Sequence, residues 1–165
     1  MEYVIMPLRE DEYCLLDDFI YEAIFIPEGV EAPPKSIIQQ ADIQVYVSGF
    51  GEQKDDHCLV AKVDGKVVGA VWVRIMNDYG HVDDETPSFA ISLYKEYRAK
   101  GIGTALMQQM LLLLEKKQYK KASLAVQKEN YAHKMYLKLG FEIIEETDVE
   151  YIMVKHIGKN SALVG

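Results

Sequence analysis

A short stretch with two glycines, RAKGIGTAL at residues 98–106, precedes a long apolar segment rich in helix formers. Gly101 and Gly103 lack a Cβ, so the backbone can approach a ligand closely and adopt conformations that other residues disfavour. A strand that enters a helix through such a loop presents outward N–H groups at the positive end of the helix dipole. This arrangement is typical of an anion-binding site, and phosphate is its usual ligand.

Two widespread phosphate-binding patterns do not fit these residues. A P-loop requires GxxxxGK[ST], and no such string occurs. A dinucleotide-binding turn requires G-x-G-x-x-G, but Leu106 occupies the third glycine position. The next expected strand ends in Gln127 and Lys128, where an acidic residue would bind a ribose. The sequence therefore argues against a nucleotide-binding oxidoreductase.

A third pattern does fit. Residues 98–103 match R/Q-x-x-G-x-G/A within the longer frame LYKEYRAKGIGTAL. A second motif follows in the spacing N-x-A-x-x-x-Y-x-x-x-G-F, formed by Asn130, Ala132, Tyr136, Gly140 and Phe141. With both motifs in place, residues 57–157 strongly resemble the GCN5-related N-acetyltransferases, the GNAT family.

The resemblance implies an α/β fold of GNAT type. In that fold a mixed, mainly antiparallel sheet splays open between its fourth and fifth strands and is flanked by about four helices. The implied activity is an acyltransferase reaction in which a primary amine of a small molecule, peptide or protein attacks the thioester of acetyl-CoA directly. Acetyl-CoA is the expected co-substrate, and no metal is expected.

The resemblance also implies which residues hold acetyl-CoA. Loop amides would bind the pyrophosphate, the unpaired edge of the preceding strand would bind the pantetheine amides, and the next helix would border them. The implied binding residues are Ile91, Leu93, Arg98, Ala99, Lys100, Gly101, Ile102, Gly103, Thr104, Asn130 and Tyr136.

Amine attack on a thioester requires an oxyanion stabiliser, a proton donor for the departing sulfur and an acceptor for the amine proton. By resemblance, a backbone N–H near Leu93 provides the first, and Tyr136 occupies the family's general-acid position. Many relatives carry the basic carboxylate about ten residues before the loop arginine, where this sequence has Ser88. A serine cannot act as a base at neutral pH, so the assignment of the base needs another residue.

Glu85 is the predicted base, acting directly or through a water that Ser88 orders. Two alternatives stay open for the acidic loop that contains Glu85: it is simply solvated, or it attracts a cationic amine. Because Ser88 replaces the usual carboxylate, the alternative function is a CoA-binding sensor or regulatory module with weak or no transfer.

Composition sets further expectations. The formal net charge of −8 argues against a nucleic-acid partner and suits a cationic acceptor. No apolar run of about 18 residues or signal peptide is visible, which predicts a cytoplasmic protein that does not bind a membrane. Cys14 and Cys58 lack metal-ligand spacing and are expected as buried, reduced thiols.

The chain is the size of one domain, expected over residues 1–157, with a disordered tail at 158–165. Hydrophobic spacing predicts the order β-α-α-β-β-β-α-β-α-β-β, with a second helix over about 36–47 and a parallel strand-helix-strand unit over 88–127. The dipeptide Asp64-Gly65 predicts a hairpin turn. The connector at 27–34 is either inert or one wall of a substrate pocket, and pairing at the sheet edges leaves a homodimer open.

Overall fold

Residues 2–158 are described by a computed structural model. The strands are β1 (Val4–Pro7), β2 (His57–Val63), β3 (Lys66–Arg74), β4 (Ser88–Leu93), β5 (Lys121–Gln127), β6 (Glu142–Glu146) and β7 (Glu150–His156). The helices are α1 (Leu15–Ala23), α2 (Ala41–Gln44), α3 (Ile102–Lys116) and α4 (Ala132–Lys138), with short 3-10 turns at Glu10–Glu12, Lys35–Gln39 and Lys95–Tyr97.

The seven strands form one mixed sheet in the order β1-β2-β3-β4-β5-β7-β6. Neighbouring strands are antiparallel except β4 and β5, which are parallel and joined through α3. β4 pairs with β3 along its whole length but with β5 only where Ser88 meets Ser123. The sheet therefore splays open between its fourth and fifth strands, which confirms the fold that the resemblance implied.

Each face of the sheet carries its own apolar core. α3 and α4 cover one face, where Phe89 packs in the same cluster as Leu106 and Phe141. α1 covers the other face, where Ala90 packs in the cluster of Phe19. Phe89 and Ala90 fall on opposite sides because successive side chains of a strand alternate between faces. This alternation gives β4 one face toward α3 and one toward α1.

The single helix predicted over 36–47 is wrong. Gln40 is extended, with φ −66° and ψ 142°, and separates the 3-10 turn at Lys35–Gln39 from the four-residue α2. The Gln44 side-chain amide donates to the Ile38 carbonyl at 2.8 Å and so holds the two pieces together. Apolar spacing alone does not indicate where such a tertiary arrangement interrupts a helix.

Three further expectations concern the ends and the thiols. Of the predicted tail at 158–165, only Gly158 lies within the described residues. Cys58 is buried in the sheet as expected, but Cys14 is exposed because it lies two positions before Leu16, whose side chain faces the core. None of the helices described for this chain reaches the length and apolarity that crossing a bilayer requires.

Candidate active site

The edge of β4 that faces β5 is unpaired beyond Ser88. On the other edge, the Tyr94 N–H donates to the Val68 carbonyl of β3 at 3.0 Å. Backbone groups of successive residues alternate in direction, so Ile91 and Leu93 point theirs into the gap between β4 and β5. Both predicted strand positions thus present backbone groups to the opening of the sheet.

The glycine loop between β4 and α3 presents its amides outward. Gly101 has φ +86° directly before α3, and Ala99 has φ +59°, so two loop residues are left-handed. The first helical hydrogen bond runs from the Ala105 N–H to the Gly101 carbonyl. The amides of the first helical turn, including those of Ile102 and Gly103, therefore have no acceptor within the helix. Such a concave group of N–H donors suits the oxygens of a pyrophosphate.

The Arg98 side chain holds this loop against its neighbours. Its Nε donates to the Leu93 carbonyl at 2.9 Å, and one terminal nitrogen contacts both the backbone and the carboxylate of Glu22 at the end of α1. Arg98 therefore fixes the position of the loop relative to β4 and α1, in addition to placing positive charge there. The neighbouring Lys100 is exposed and makes no ion pair within residues 2–158.

Side chains before and within α4 complete the opposite wall. The Asn130 Oδ1 accepts the Ala132 N–H at 2.9 Å, which caps the start of α4 and leaves the side-chain amide available. The Thr104 hydroxyl contacts the sulfur of Met135 at 3.2 Å, which joins α3 to α4. Thr104 would therefore contribute its backbone amide rather than its hydroxyl to a ligand.

Tyr136 is buried, with 7% of its surface exposed, and its ring packs beside Phe141. Its hydroxyl has no hydrogen-bond partner within the described part of the chain. It is also absent from the fully enclosed polar atoms that lack a partner, so it reaches the open space beside it. Burial raises the pKa of Tyr136 to about 12, which keeps the proton on Oη at neutral pH.

A cleft of about 720 Å³ brings these parts together. Residues predicted for acetyl-CoA line it, and the end of α1 with the following connector forms the remaining wall. The predicted residues on its surface are Ile91, Leu93, Arg98, Gly103, Asn130 and Tyr136. Pro27, Val30 and Ala32 also line it, so the connector at 27–34 is a wall of the cleft. The Tyr21 hydroxyl bonds the Pro33 carbonyl and ties this connector to α1.

The predicted base region lies at the start of β4 and in the loop before it. Ser88 is fully buried, and its hydroxyl donates to the Asp78 carboxylate at 3.0 Å and lies 3.3 Å from the Ser123 hydroxyl. Glu85 is exposed, and its own N–H bonds Asp83. The structure thus brings Ser88 together with Asp78 and leaves Glu85 on the loop surface. In the sequence, the one hint of a polar partner such as Asp78 is a serine, Ser88, at the start of a largely apolar strand.

The described residues contain no group of three or more His, Cys, Asp or Glu side chains arranged to hold a metal ion. The charged side chains that line the cleft are instead Glu22, Lys95 and Arg98.

The sequence model of the acetyltransferase (GNAT) family matches residues 19–141. This stretch runs from α1 through Phe141 and contains the whole of the glycine loop and α4. The chain belongs to the GNAT acetyltransferase family. No curated protein sequence shows significant similarity to it.

Solved GNAT structures share the fold. The PaiA N-acetyltransferase of Thermoplasma acidophilum, in complex with coenzyme A, has a TM-score of 0.70 at 19% identity, over 94% of this chain and 99% of that one. A GNAT acetyltransferase of Streptococcus pneumoniae has a TM-score of 0.70 at 20% identity, over 95% and 100%. The ribosomal-protein-S18-alanine N-acetyltransferase of Escherichia coli has a TM-score of 0.67 at 17% identity, over 96% of both chains.

In this GNAT chain, Gly101→Val is expected to weaken acetyl-CoA binding. A side chain at φ +86° disfavours the left-handed backbone by about 1–2 kcal/mol, so the loop amides turn away from their present directions. Gly65→Val is the matched control, because Gly65 has φ +78° and equally open space but lies in the β2–β3 hairpin. Calorimetry should find lower affinity for the Gly101 variant only. Equal affinities for both variants would contradict the role of the loop.

Proposed function

We propose that this protein is an acetyl-CoA-dependent N-acetyltransferase that transfers an acetyl group to a primary amine of a small molecule, peptide or protein. One observation carries the proposal. The unpaired edge of β4, the start of α3 at Gly103 and the Tyr136 hydroxyl, which has no partner within residues 2–158, lie at the same cleft. The free state of both cysteines is in keeping with a reducing, cytoplasmic location.

The residues present fit acetyl-CoA, which supplies the acetyl thioester when bound. The loop with left-handed Ala99 and Gly101, and the first amides of α3, suit two negatively charged phosphates, each charge-assisted hydrogen bond contributing about 1.5–3 kcal/mol. The N–H groups of Ile91 and Leu93 would pair with the extended pantetheine arm as an added strand does. A backbone N–H of this same edge would stabilise the negative charge that develops on the carbonyl oxygen.

Tyr136 then supplies the proton for the sulfur. Because burial raises its pKa to about 12, the hydroxyl stays protonated at neutral and mildly alkaline pH. Because no described residue bonds it, the O–H group can point at the leaving group. The ring is fixed by its contact with Phe141, so the donor is positioned before the substrate arrives.

A panel of amines tests the proposal. An aliphatic monoamine, a diamine, a peptide with a free N-terminus and an N-blocked peptide with one lysine are each incubated with acetyl-CoA. Released thiol and the mass of the product are then measured. We expect at least one amine to be acetylated faster than in the absence of protein. Binding of acetyl-CoA without transfer to any amine would instead support the sensor function.

A further inference from the structure

Asp78, in the loop between β3 and β4, is a partly buried carboxylate within a ring of donors. The Ser88 hydroxyl donates to its Oδ1 at 3.0 Å. The Tyr46 hydroxyl and the Gly80 backbone N–H also hydrogen-bond to it. Asp78 makes no ion pair anywhere in residues 2–158, so no basic side chain neutralises it. Its charge is held by neutral donors only.

Asp78 contacts the first residue of β4, the strand whose far end lines the cleft. Ser88 is the residue at which β4 leaves β5, so Asp78 lies at the closed end of the splay. Side chains of Ser88, Ala90 and Ser92 share the α1 face of β4, since they alternate with those facing α3. Ser92 already lines the cleft. At about 3.3 Å per residue, the cleft begins roughly 10–13 Å along the strand from Ser88.

A second carboxylate, Glu150, lies opposite Gln127 of β5 and is near enough to Asp78 for the two charges to interact. Burial raises the pKa of Asp78, although the hydrogen bonds from Ser88 and Tyr46 lower it. Burial and then the charge of Asp78 raise the pKa of Glu150, at the start of β7. The nearby Tyr79 hydroxyl donates to Asp42 at 2.8 Å, and this hydrogen bond is the main cause of its raised pKa. The surroundings therefore make Asp78 more basic than an exposed carboxylate.

We propose that Asp78 accepts the proton of the attacking amine through water, and that Ser88 and Tyr46 hold its carboxylate in place. This inference rests on the proposed N-acetyltransferase function. As the N–C bond forms and the C–S bond breaks, the amine nitrogen loses one proton to Asp78 through water. Tyr136 gives one proton to the sulfur, and solvent then returns the proton of Asp78 to Tyr136. Glu85, exposed on the loop, takes no part.

Asp78→Asn tests the acceptor role directly. The pH dependence of kcat and kcat/KM is measured from about pH 5 to 10 with the best amine of the panel, and acetyl-CoA affinity is measured by calorimetry. We expect kcat to fall at least about tenfold at neutral pH with acetyl-CoA affinity unchanged. Asp84→Asn is the control on the same loop, because its side chain is 97% exposed and its one ion pair within residues 2–158 is with His81. It should keep the parent profile.

Removal of single donors gives a second measurement if Asp78→Asn does not fold. Tyr46→Phe and Ser88→Ala each delete a hydrogen bond that lowers the pKa of Asp78. The base then binds its proton more tightly, so the acid limb of kcat/KM should move to higher pH in both variants. Tyr79→Phe is the matched tyrosine control, since its hydroxyl serves Asp42. A purely structural role for Tyr46 or Ser88 would lower activity without moving the limb.

The outcomes separate this inference from the function beneath it. If an amine is acetylated but Asp78→Asn keeps the parent kcat and acid limb, Asp78 is not the acceptor although the enzyme is. The inference also fails if Glu85→Gln, and not Asp78→Asn, displaces the acid limb. If the parent protein acetylates no amine, the function and this inference are both overturned.

Discussion

Tyr136→Phe is expected to lower kcat for acetyl transfer at least about tenfold while leaving the dissociation constant of acetyl-CoA unchanged. The substitution removes only the hydroxyl, which has no hydrogen-bond partner within residues 2–158. It therefore leaves no buried polar group unsatisfied, and the ring keeps its place beside Phe141. Loss of the proton donor for sulfur is then the main consequence. Steady-state kinetics and calorimetry on the same preparation measure the two quantities.

Tyr151→Phe is the control for this substitution. Tyr151 packs against the same core, beside His133 of α4, but does not line the cleft. It should leave both kcat and acetyl-CoA affinity near the parent values. An unchanged kcat in Tyr136→Phe would remove the general-acid role. Weaker acetyl-CoA binding with unchanged kcat would make Tyr136 a binding residue instead.

The second large effect concerns stability. Arg74→Leu is expected to reduce the free energy of unfolding by about 3–5 kcal/mol, because it leaves the Asp56 carboxylate buried without its cation. The Arg74 and Asp56 side chains are 4% and 0% exposed and form two hydrogen bonds of 3.1 Å. Arg74 also donates to the Val45 and Ser48 carbonyls, which anchor the segment after α2.

Thermal and urea unfolding measure this loss, which corresponds to a fall in Tm of about 6–20 °C for a chain of this size. Lys128→Met is the control, since it breaks an exposed pair with Glu146 whose side chains are 29% and 60% exposed. Exposed pairs contribute about 0–1 kcal/mol, so the control should change little. Equal losses in the two variants would contradict the importance of the buried pair.

The same ion pair links stability to the candidate site. Arg74 lies opposite Ser88 in the β3–β4 register, and the segment that it anchors contains Tyr46. The Tyr46 carbonyl accepts a hydrogen bond from the indole N–H of Trp72. The Tyr46 hydroxyl interacts with Asp78. Neither the pairing of Arg74 with Asp56 nor the contact of Tyr46 with Asp78 follows from spacing along the chain, because the two pairs join residues 18 and 32 positions apart.

Features with local determinants were predictable. Strand periodicity located β2 and β3, and both Asp64 and Gly65 adopt the positive φ that a tight hairpin turn requires. The glycine loop and the motif ending at Phe141 identified the family that the sequence model matches. The fold of that family predicted Ile91 and Leu93 at an open strand edge. In the structure, β4 pairs with β5 only at Ser88, which leaves that edge open.

Features that depend on tertiary contacts were missed. Asp78 stands in a polar loop with several other carboxylates, and no pattern marks it among them. Only the burial of Ser88 at the splay selects Asp78, because a buried hydroxyl needs a partner. The break at Gln40 is another case, since its extended backbone interrupts a segment whose apolar spacing suits a helix.

A thermal-shift series tests the central claim most directly, which is that the cleft beside the glycine loop binds acetyl-CoA. Acetyl-CoA, CoA, NAD and ATP are compared at one concentration, about a hundred times the acetyl-CoA dissociation constant. Binding at that level stabilises the folded chain by about 2.7 kcal/mol, or about 5–11 °C in Tm. We predict shifts with acetyl-CoA and CoA alone. A shift with NAD or ATP, and none with acetyl-CoA, would contradict the account.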